Sequence, residues 1–278
     1  MRYVKTAEEI SRIQSIYSRS HELGVKMLTV QFETTPAAVA AVLPPPLEPA
    51  PECVGLAWVG EVGNSSCVGP YSIAGVSVRA RYGDLVGNYA VTTPVSTPEA
   101  LIFGREMYGE PRKLARLIFE EQDEHVWGSA ERGEIRFLSM RGRCSEPART
   151  GRHETSSFAF KYLLKPDGSG FDNPPQLVHI SREFTTTVAR SGRGEIVFRD
   201  SVHEPVIDLP VNQVIDAVYT EGQGYTTSRA LCRVDPDAFL PYAFGKMDCF
   251  EVIAEGTIMH GQAARRSRDG KGQWRRIA

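Results

Sequence analysis

The sequence has few cysteines, almost no net charge and no long apolar run, and each shortage argues against a class of protein. The five cysteines are widely spaced without a CxxC pair, which argues against a disulfide framework or a zinc site and indicates a reduced, cytoplasmic location. A formal net charge of −2 gives no attraction to nucleic acid or to an anionic membrane. No stretch approaches the roughly 18 apolar residues of a membrane-spanning helix.

The familiar sequence signatures of cofactor and hydrolase chemistry are also missing. There is no GxGxxG after a predicted strand, no phosphate-binding P-loop, no HExxH and no GxSxG. The six histidines are dispersed along the chain, so they do not form a spacing typical of metal ligands. We therefore predict neither a metal nor an organic cofactor.

What the sequence does contain is the composition of a folded domain. Its 278 residues are 41% hydrophobic and 24% charged, close to the average for globular proteins. No repeat or low-complexity linker divides them, so we expect one domain over residues 1–278. The end of the chain, about residues 262–278, is a basic tail, which we interpret as a solvated end.

Local patterns predict a few helices. Thr6 and Glu9 have the spacing of a capping box, which predicts a helix over about residues 6–22. Thr35 followed by Pro36 predicts a second helix that ends before Pro44. Further helices are predicted over about Val211–Tyr219 and from Asp235-Pro236 onward.

Most of the remaining chain has the pattern of short strands. The segment Ser191–Gly194 is predicted as a hairpin turn and residues 221–227 as a flexible loop. Many strands with few helices predict an α+β domain built on a large curved sheet or barrel. Strands are predicted at Val54–Val59, Ile73–Ala80, Tyr89–Thr93, Ala100–Phe103, Glu134–Met140, Phe158–Leu164, Thr185–Ala189, Glu195–Phe198 and within Met247–Ile258.

The densest group of reactive side chains lies in the segment GREMYGEPRKLA, from Gly104 to Ala115. It places Lys113 beside Arg112, together with the carboxylates of Glu106 and Glu110. A lysine attacks a carbonyl only as the free amine, and a reference pKa of about 10.4 leaves little of that form at neutral pH. Burial or a neighbouring cation would have to lower the pKa. Surface ion pairs on a turn are the alternative explanation of the same residues.

This segment resembles the GRE-x-x-x-x-PKKL segment of the acetoacetate decarboxylase family. Leu43–Glu48 (LPPPLE) resembles an early VPxPLE segment, Tyr162–Gly168 a central strand and turn, and Asp208–Val211 (DLPV) the start of a late helix, all in family order. The resemblance implies an antiparallel, β-rich α+β fold whose sheet curls into a barrel-like cone around an apolar pocket. It also implies a homo-oligomer and a lysine Schiff base formed with a keto acid.

The sequence departs from the family pattern at the decisive positions. Aligned on the proline, Arg112 occupies the place of the lysine nucleophile and Lys113 that of the second lysine. Arginine stays protonated and cannot form a Schiff base. The family's active-site glutamate falls at Ile73 or Ser72. Its substrate-binding arginine falls near residues 25–26, where there is none.

Two interpretations of the basic pair follow. In the first, Lys113 is the nucleophile and Arg112 lowers its pKa, which requires a local bend because neighbours on a strand point to opposite faces. In the second, Arg112 binds a carboxylate or an enolate, and Glu106, Glu110 or a tyrosine moves protons.

The first interpretation predicts a lyase of secondary metabolism that acts on a small carbonyl substrate, of the decarboxylase, aldolase, dehydratase or cyclase type. The second predicts a non-covalent hydratase, isomerase or lactone hydrolase, and a non-catalytic binding protein is a further alternative. The predicted catalytic residues are Lys113, Arg112 and Glu106. The predicted substrate-binding residues are Tyr71, Trp58, Phe103, Met107, Glu110 and Tyr225.

Overall fold

The chain is mostly β-strand in the computed structural model, which describes residues 2–259, 266–268 and 274–276. The predicted basic tail at 262–278 therefore lies mostly outside the described residues. The strands are β1 (Ser20–Glu33), β2 (Glu48–Pro49), β3 (Val54–Ser65), β4 (Tyr71–Tyr82), β5 (Leu85–Val95), β6 (Arg112–Leu114), β7 (Arg116–Gln122), β8 (His125–Arg132), β9 (Ile135–Pro147), β10 (Gly151–Lys161), β11 (Gln176–Phe198), β12 (Gln213–Arg233), β13 (Arg266–Arg268) and β14 (Trp274–Arg276).

In the described residues, five α-helices and a few shorter helical turns connect or cover these strands. A π-helical turn at Gly104–Tyr108 follows the third helix directly, and a 3₁₀ turn at Phe244–Lys246 follows the fourth. In the part of the chain that is described, no helix is both long and apolar enough to cross a membrane. The helices are α1 (Ala7–Ser18), α2 (Pro36–Val42), α3 (Pro98–Phe103), α4 (Pro236–Ala243) and α5 (Phe250–Met259).

Seven strands close into a ring in the order β10-β5-β4-β3-β1-β12-β11, and β11 pairs again with β10. The contact between β10 and β5 is parallel, and the other neighbours in the ring are antiparallel. The predicted α+β class with a curled, barrel-like sheet is confirmed. Closure leaves no free edge in the ring.

The second half of β11 leaves the ring and pairs with β9, which continues into β8 and β7. These three strands fold back over the outer face of the ring. Leu28 and Val59 from the ring and Phe137 from β9 are fully buried between the two layers. The layers approach closely at Gly128, where a Cβ atom would lie 2.6 Å from Cγ1 of Val59. Most of the apolar core is therefore outside the ring.

Side chains alternate along a strand, so every second side chain of a ring strand points to the inside of the ring. Val25, Val62, Tyr71 and Val95 form a smaller buried cluster on this inner face. Helix α3 and the π-helical turn close one end of the ring, and β6 then runs parallel to β5. The segment singled out in the sequence is thus placed at the closed end of the barrel.

Three helix starts predicted from capping patterns are confirmed. Thr6 and Glu9 form both hydrogen bonds of the capping box at α1, and Thr35 caps α2. Asp235 caps α4, where its side chain accepts from the backbone of two later residues. The predicted end of the first helix is wrong, because α1 ends at Ser18 and β1 begins two residues later.

Several predictions in the less regular parts of the sequence are wrong. The predicted strand Ala100–Phe103 lies in helix α3, where Thr97 caps the first turn. The predicted strand within Met247–Ile258 falls largely on helix α5, and the predicted helix Val211–Tyr219 falls largely on β12, which is paired on both sides.

Two glycine-rich segments that were predicted as turn and loop are continuous strand. The predicted turn at Ser191–Gly194 lies inside β11, where a Cβ at Gly192 would be 1.9 Å from the carbonyl oxygen of Arg143. The predicted loop at 221–227 lies inside β12. These glycines allow close approach of neighbouring groups rather than a change of chain direction.

Candidate active site

A group of charged side chains meets at the closed end of the barrel, with Glu110 at its centre. Oε2 of Glu110 lies 2.7 Å from Nε of Arg112, and Oε1 lies 2.6 Å from Nη2 of Arg182 on β11. Both Glu110 and Arg112 are almost fully buried. The carboxylate therefore joins β6 to the far wall of the barrel.

Glu110 is held in its charged form. Burial raises the pKa of its carboxyl group, but the charges and hydrogen bonds of Arg112 and Arg182 outweigh burial and leave the pKa below its ordinary value. Both oxygens already accept from guanidinium groups. Glu110 is therefore an anchor for the two arginines and not a proton donor.

The guanidinium group of Arg112 is fixed from three sides. Besides its two contacts with Glu110, its Nη1 donates to the carbonyl oxygen of Ala100 over 2.8 Å. Its central carbon lies 5.7 Å from the ring centre of Tyr71. Gly104 packs directly against it, since a Cβ there would be 2.0 Å from Nε of Arg112. A guanidinium has five N–H donors, so two remain for a ligand.

Glu22 belongs to the same group but, unlike Glu110, has a hydrogen-bond partner at only one of its two oxygens among the described residues. The hydroxyl of Tyr71 donates to its Oε1 over 2.8 Å. Within the described chain, no partner is recorded for the other oxygen, and the residue is partly exposed. Burial, followed by the negative charge of Glu22, holds the pKa of Tyr71 well above its ordinary value, so that Tyr71 stays a donor. One oxygen of Glu22 is thus left for a ligand.

A second tyrosine, Tyr108, lies in the plug, as we name α3 and the π-helical turn at the closed end of the ring. The hydroxyl groups of Tyr108 and Ser20 are 3.0 Å apart. Burial raises the pKa of Tyr108 to about 12, so the hydroxyl keeps its proton at neutral pH. Its ring packs with Ala159 and Val178 on the inner face.

Apolar side chains continue the inner face beyond the charged group. The ring of Phe184 lies over Gly222 and Gly224, because a Cβ at either glycine would be 2.7 Å from it. The ring of Trp58 lies in the same way over Gly75. The inner face therefore combines a charged end with an aromatic wall.

Lys113 points away from this group, as the alternation along β6 requires. Its Nζ donates to the carbonyl oxygen of His203 over 3.0 Å and lies 3.1 Å from Oε1 of Glu204. The same Glu204 oxygen binds Arg132 over 2.6 Å. The two adjacent basic residues thus belong to separate networks on opposite faces of the strand.

The predicted site residues are therefore only partly brought together. Arg112, Glu110, Tyr71 and Trp58 lie on the inner side of the barrel. Phe103 and Met107 are not free to line a pocket there, because they pack with Tyr108 in the plug.

Glu106 and Tyr225 lie elsewhere. Glu106 is exposed on the other side of the π-helical turn. Tyr225 is on the outer face of β12, stacked on His21 with ring centres 4.2 Å apart and covered by Arg19.

Three residues of the charged group were missed in the sequence. Glu22 falls inside the range predicted as helix, although it lies on β1. Arg182 precedes the range predicted as strand, and only its alternation with Phe184 along β11 signals that both face inward. Tyr108 lies inside the GREMYGEPRKLA segment and could have been considered there. In the described residues, no group of three or more His, Cys, Asp or Glu side chains is placed to hold a metal.

Lys246 binds the backbone of the GREMYGEPRKLA segment on the side away from the barrel interior. Nζ of Lys246 donates to the carbonyl oxygens of Gly109 and, over 2.8 Å, of Phe160, and lies 4.3 Å from the ring centre of Tyr162. Burial, followed by the charge of Arg105, lowers the pKa of Lys246 to about 7. A neutral amine has two N–H groups, enough for both carbonyls. Lys246 thus fixes the residue before Glu110 with or without its charge.

We predict that Gly104→Ala displaces Arg112. The added methyl group has no room beside a guanidinium that is itself fixed by Glu110 and Ala100. We expect a loss of about 1–3 kcal/mol in the free energy of unfolding, measured by urea denaturation. Gly245→Ala is the control, because a Cβ there has no neighbour within 4 Å. Equal stability of Gly104→Ala and wild type would contradict the fixed position of Arg112.

The lowered pKa of Lys246 predicts a pH-dependent stability. Between about pH 7 and the ordinary lysine pKa of 10.5, the unfolded chain holds more protons at this group than the folded chain. Stability from this group therefore rises with pH in that window. Compared with Lys246→Met, the wild type should gain free energy of unfolding between pH 7 and pH 10, measured by urea denaturation. Parallel profiles for the two proteins would rule this out.

Comparison with known proteins gives one consistent result. A family model described as acetoacetate decarboxylase matches residues 8–230. The acetoacetate decarboxylase of Acidiphilium cryptum is 26% identical over 200 residues, which cover 68% of this chain and 79% of that protein.

Solved structures share the fold at lower identity. Acetoacetate decarboxylase from Legionella pneumophila matches with a TM-score of 0.71 and 19% identity, over 77% of this chain and 87% of that chain. The enduracididine biosynthesis enzyme MppR, in complex with the condensation product of pyruvate and imidazole 4-carboxaldehyde, matches with a TM-score of 0.67 and 12% identity, over 76% and 88% of the two chains. With the match of the family model over most of the sequence, the chain belongs to the acetoacetate decarboxylase family.

Proposed function

We propose that this chain is an enzyme of the family that converts a small carbonyl compound bearing a carboxylate, without a covalent bond to lysine. The observation that carries this proposal is the arrangement on β6. Arg112 takes the inward position, while the amine of Lys113 is bound by Glu204 and His203 on the opposite face. An arginine there can bind an anion but cannot attack a carbonyl.

The substrate carboxylate binds to the free N–H groups of Arg112 and Arg182. Arg182 uses Nη1 for Ser157 and Nη2 for Glu110, which leaves three of its five N–H groups. Glu110 offsets one of the two arginines and Glu22 lies near both, so the ligand is held by directed N–H donors and not by an excess of positive charge. Hydrogen bonds of this charge-assisted kind are short and strong, and they orient a planar anion.

Glu22 moves the proton. Its free oxygen takes a proton from the carbon next to the carbonyl. The electron pair of that C–H bond forms the carbon–carbon double bond of an enolate, and the π pair of the carbonyl moves to its oxygen. The guanidinium of Arg112 stabilises the enolate by donating to that oxygen. Return of the proton to another carbon gives an isomerase, and loss of a neighbouring hydroxide, protonated to water, gives a dehydratase. Tyr71 orients Glu22 throughout.

The aromatic wall favours a substrate larger than acetoacetate. Trp58 and Phe184 are only half-buried on the inner face, and Ile73 or Ser72 stands where the family pattern has a glutamate. An apolar or aromatic tail attached to the carbonyl would cover these side chains. Among related folds, MppR was solved with a product of pyruvate and an aromatic aldehyde, and we extend that substrate class to this chain as part of the proposal.

Glu22→Gln should abolish turnover and leave binding intact. The amide keeps an oxygen for the hydroxyl of Tyr71 but cannot accept a proton. We expect a loss of about 100-fold or more in deuterium incorporation next to the carbonyl of 2-oxo acids in D₂O, followed by NMR. Affinity for the same acids, measured by calorimetry, should change little. Full exchange activity in Glu22→Gln would remove Glu22 from the mechanism.

Borohydride reduction separates this mechanism from a Schiff base at Lys113. We expect no substrate-dependent mass adduct on the wild type. Lys113→Arg should keep its activity, because arginine can retain the ion pair with Glu204 but cannot form an imine. Arg112→Lys is the positive control, since it returns a lysine to the inward position. A wild-type adduct mapped to Lys113, together with inactivity of Lys113→Arg, would establish the covalent alternative instead.

The expectations of homo-oligomeric assembly and cytoplasmic location stay predictions. Light scattering of the purified chain measures the first directly, and fractionation of the source cells measures the second.

A further inference from the structure

A second concave site lies behind the closed end of the barrel, on the outer side of the π-helical turn. It is a groove of about 470 Å³. Arg105 and Glu106 line one side of the groove, and both belong to the GREMYGEPRKLA segment singled out in the sequence. Lys161, Gln176 and Arg233 are on the other side, with Tyr162 between. The function proposed above uses none of these residues.

The far side of the groove is a row across three strands. Lys161 at the end of β10 pairs with Gln176 at the start of β11, and Gln176 pairs with Arg233 at the end of β12. Directly paired residues point to the same side of a sheet. The two cations therefore stand on one face with an amide between them.

Among the described residues, the three cations that line the groove have no carboxylate partner. In the described part of the chain, Arg105, Lys161 and Arg233 form no salt bridge, whereas Arg112, Arg132 and Arg190 each bind one or more carboxylates. Arg105 is held in place, because its Nη1 donates to the carbonyl oxygen of Lys246. With Glu106 as the single carboxylate in the lining, the groove has an excess of two positive charges.

We propose that this groove binds a small molecule carrying a phosphate or diphosphate group. The excess of two charges matches a dianion, and arginine and lysine together provide the directed donors that phosphate oxygens accept. The amide of Gln176 adds a neutral donor at the centre of the row. Glu106 faces the less charged part of the ligand, where it can accept from a hydroxyl or an ammonium group.

The groove and the barrel interior share a wall. Gly104 contacts Arg112 on the inner side, and Arg105, the next residue, lines the groove. A ligand held by Arg105 therefore lies next to Gly104, the residue that packs against Arg112. The proposal does not depend on the reaction assigned to that inner site.

Calorimetric titration of the full chain with pyrophosphate, at constant ionic strength, tests the proposal. We expect saturable binding that becomes at least about tenfold weaker in the double variant Lys161→Gln, Arg233→Gln. Arg229→Gln is the matched control. It removes an exposed positive charge from the same strand outside the groove lining and should bind pyrophosphate as the wild type does.

Three results would overturn the proposal. The first is no saturable binding of pyrophosphate by the wild type, and the second is unchanged binding by the double variant. The third is succinate binding as tightly as pyrophosphate, because the groove would then select charge rather than phosphate. Glu22→Gln keeps the groove intact and should bind pyrophosphate normally, so failure here and failure of the inner site are distinguishable.

Discussion

The shared carboxylate of Glu110 is the contact on which the closed end of the barrel depends. Removing Glu110 would leave the buried guanidinium of Arg112 without its carboxylate, and broken buried pairs of this kind cost about 3–5 kcal/mol. Glu110 ties β6 to β11, and through Arg112 it also ties β6 to α3. One ion group therefore fixes the plug, its neighbouring strand and the far wall in a single arrangement. Both arginines keep N–H groups that these hydrogen bonds do not use.

The chemistry follows from the direction of one short strand. In β6 the alternation of side chains sends Arg112 inward and Lys113 to a separate network with Glu204 and Arg132. A barrel with an inward lysine can form an imine, whereas one with an inward arginine can only bind and polarise. In the mechanism we propose, Glu22 performs the proton transfer that the arginine cannot, and Tyr71 on another strand orients it.

How much the sequence could predict depended on the range of the interactions involved. Helix starts at Thr6, Thr35 and Asp235 were predictable because a cap is formed by residues three or fewer positions apart. The barrel followed from the resemblance and the number of strands. Glu22 and Arg182 could not be found, because their roles arise from pairings with residues 49 and 72 positions away in sequence. Gly192 was misinterpreted as a turn because the β9 carbonyl it faces is equally remote.

The most direct test of where the substrate is held is a crystal structure of the protein soaked with a 2-oxo acid that carries an aromatic tail. Our account places the carboxylate against the free N–H groups of Arg112 and Arg182 and the tail against Phe184 and Trp58. The carbon next to the carbonyl then lies within reach of Glu22. Continuous electron density between the ligand and Nζ of Lys113, with Glu204 released, would contradict it.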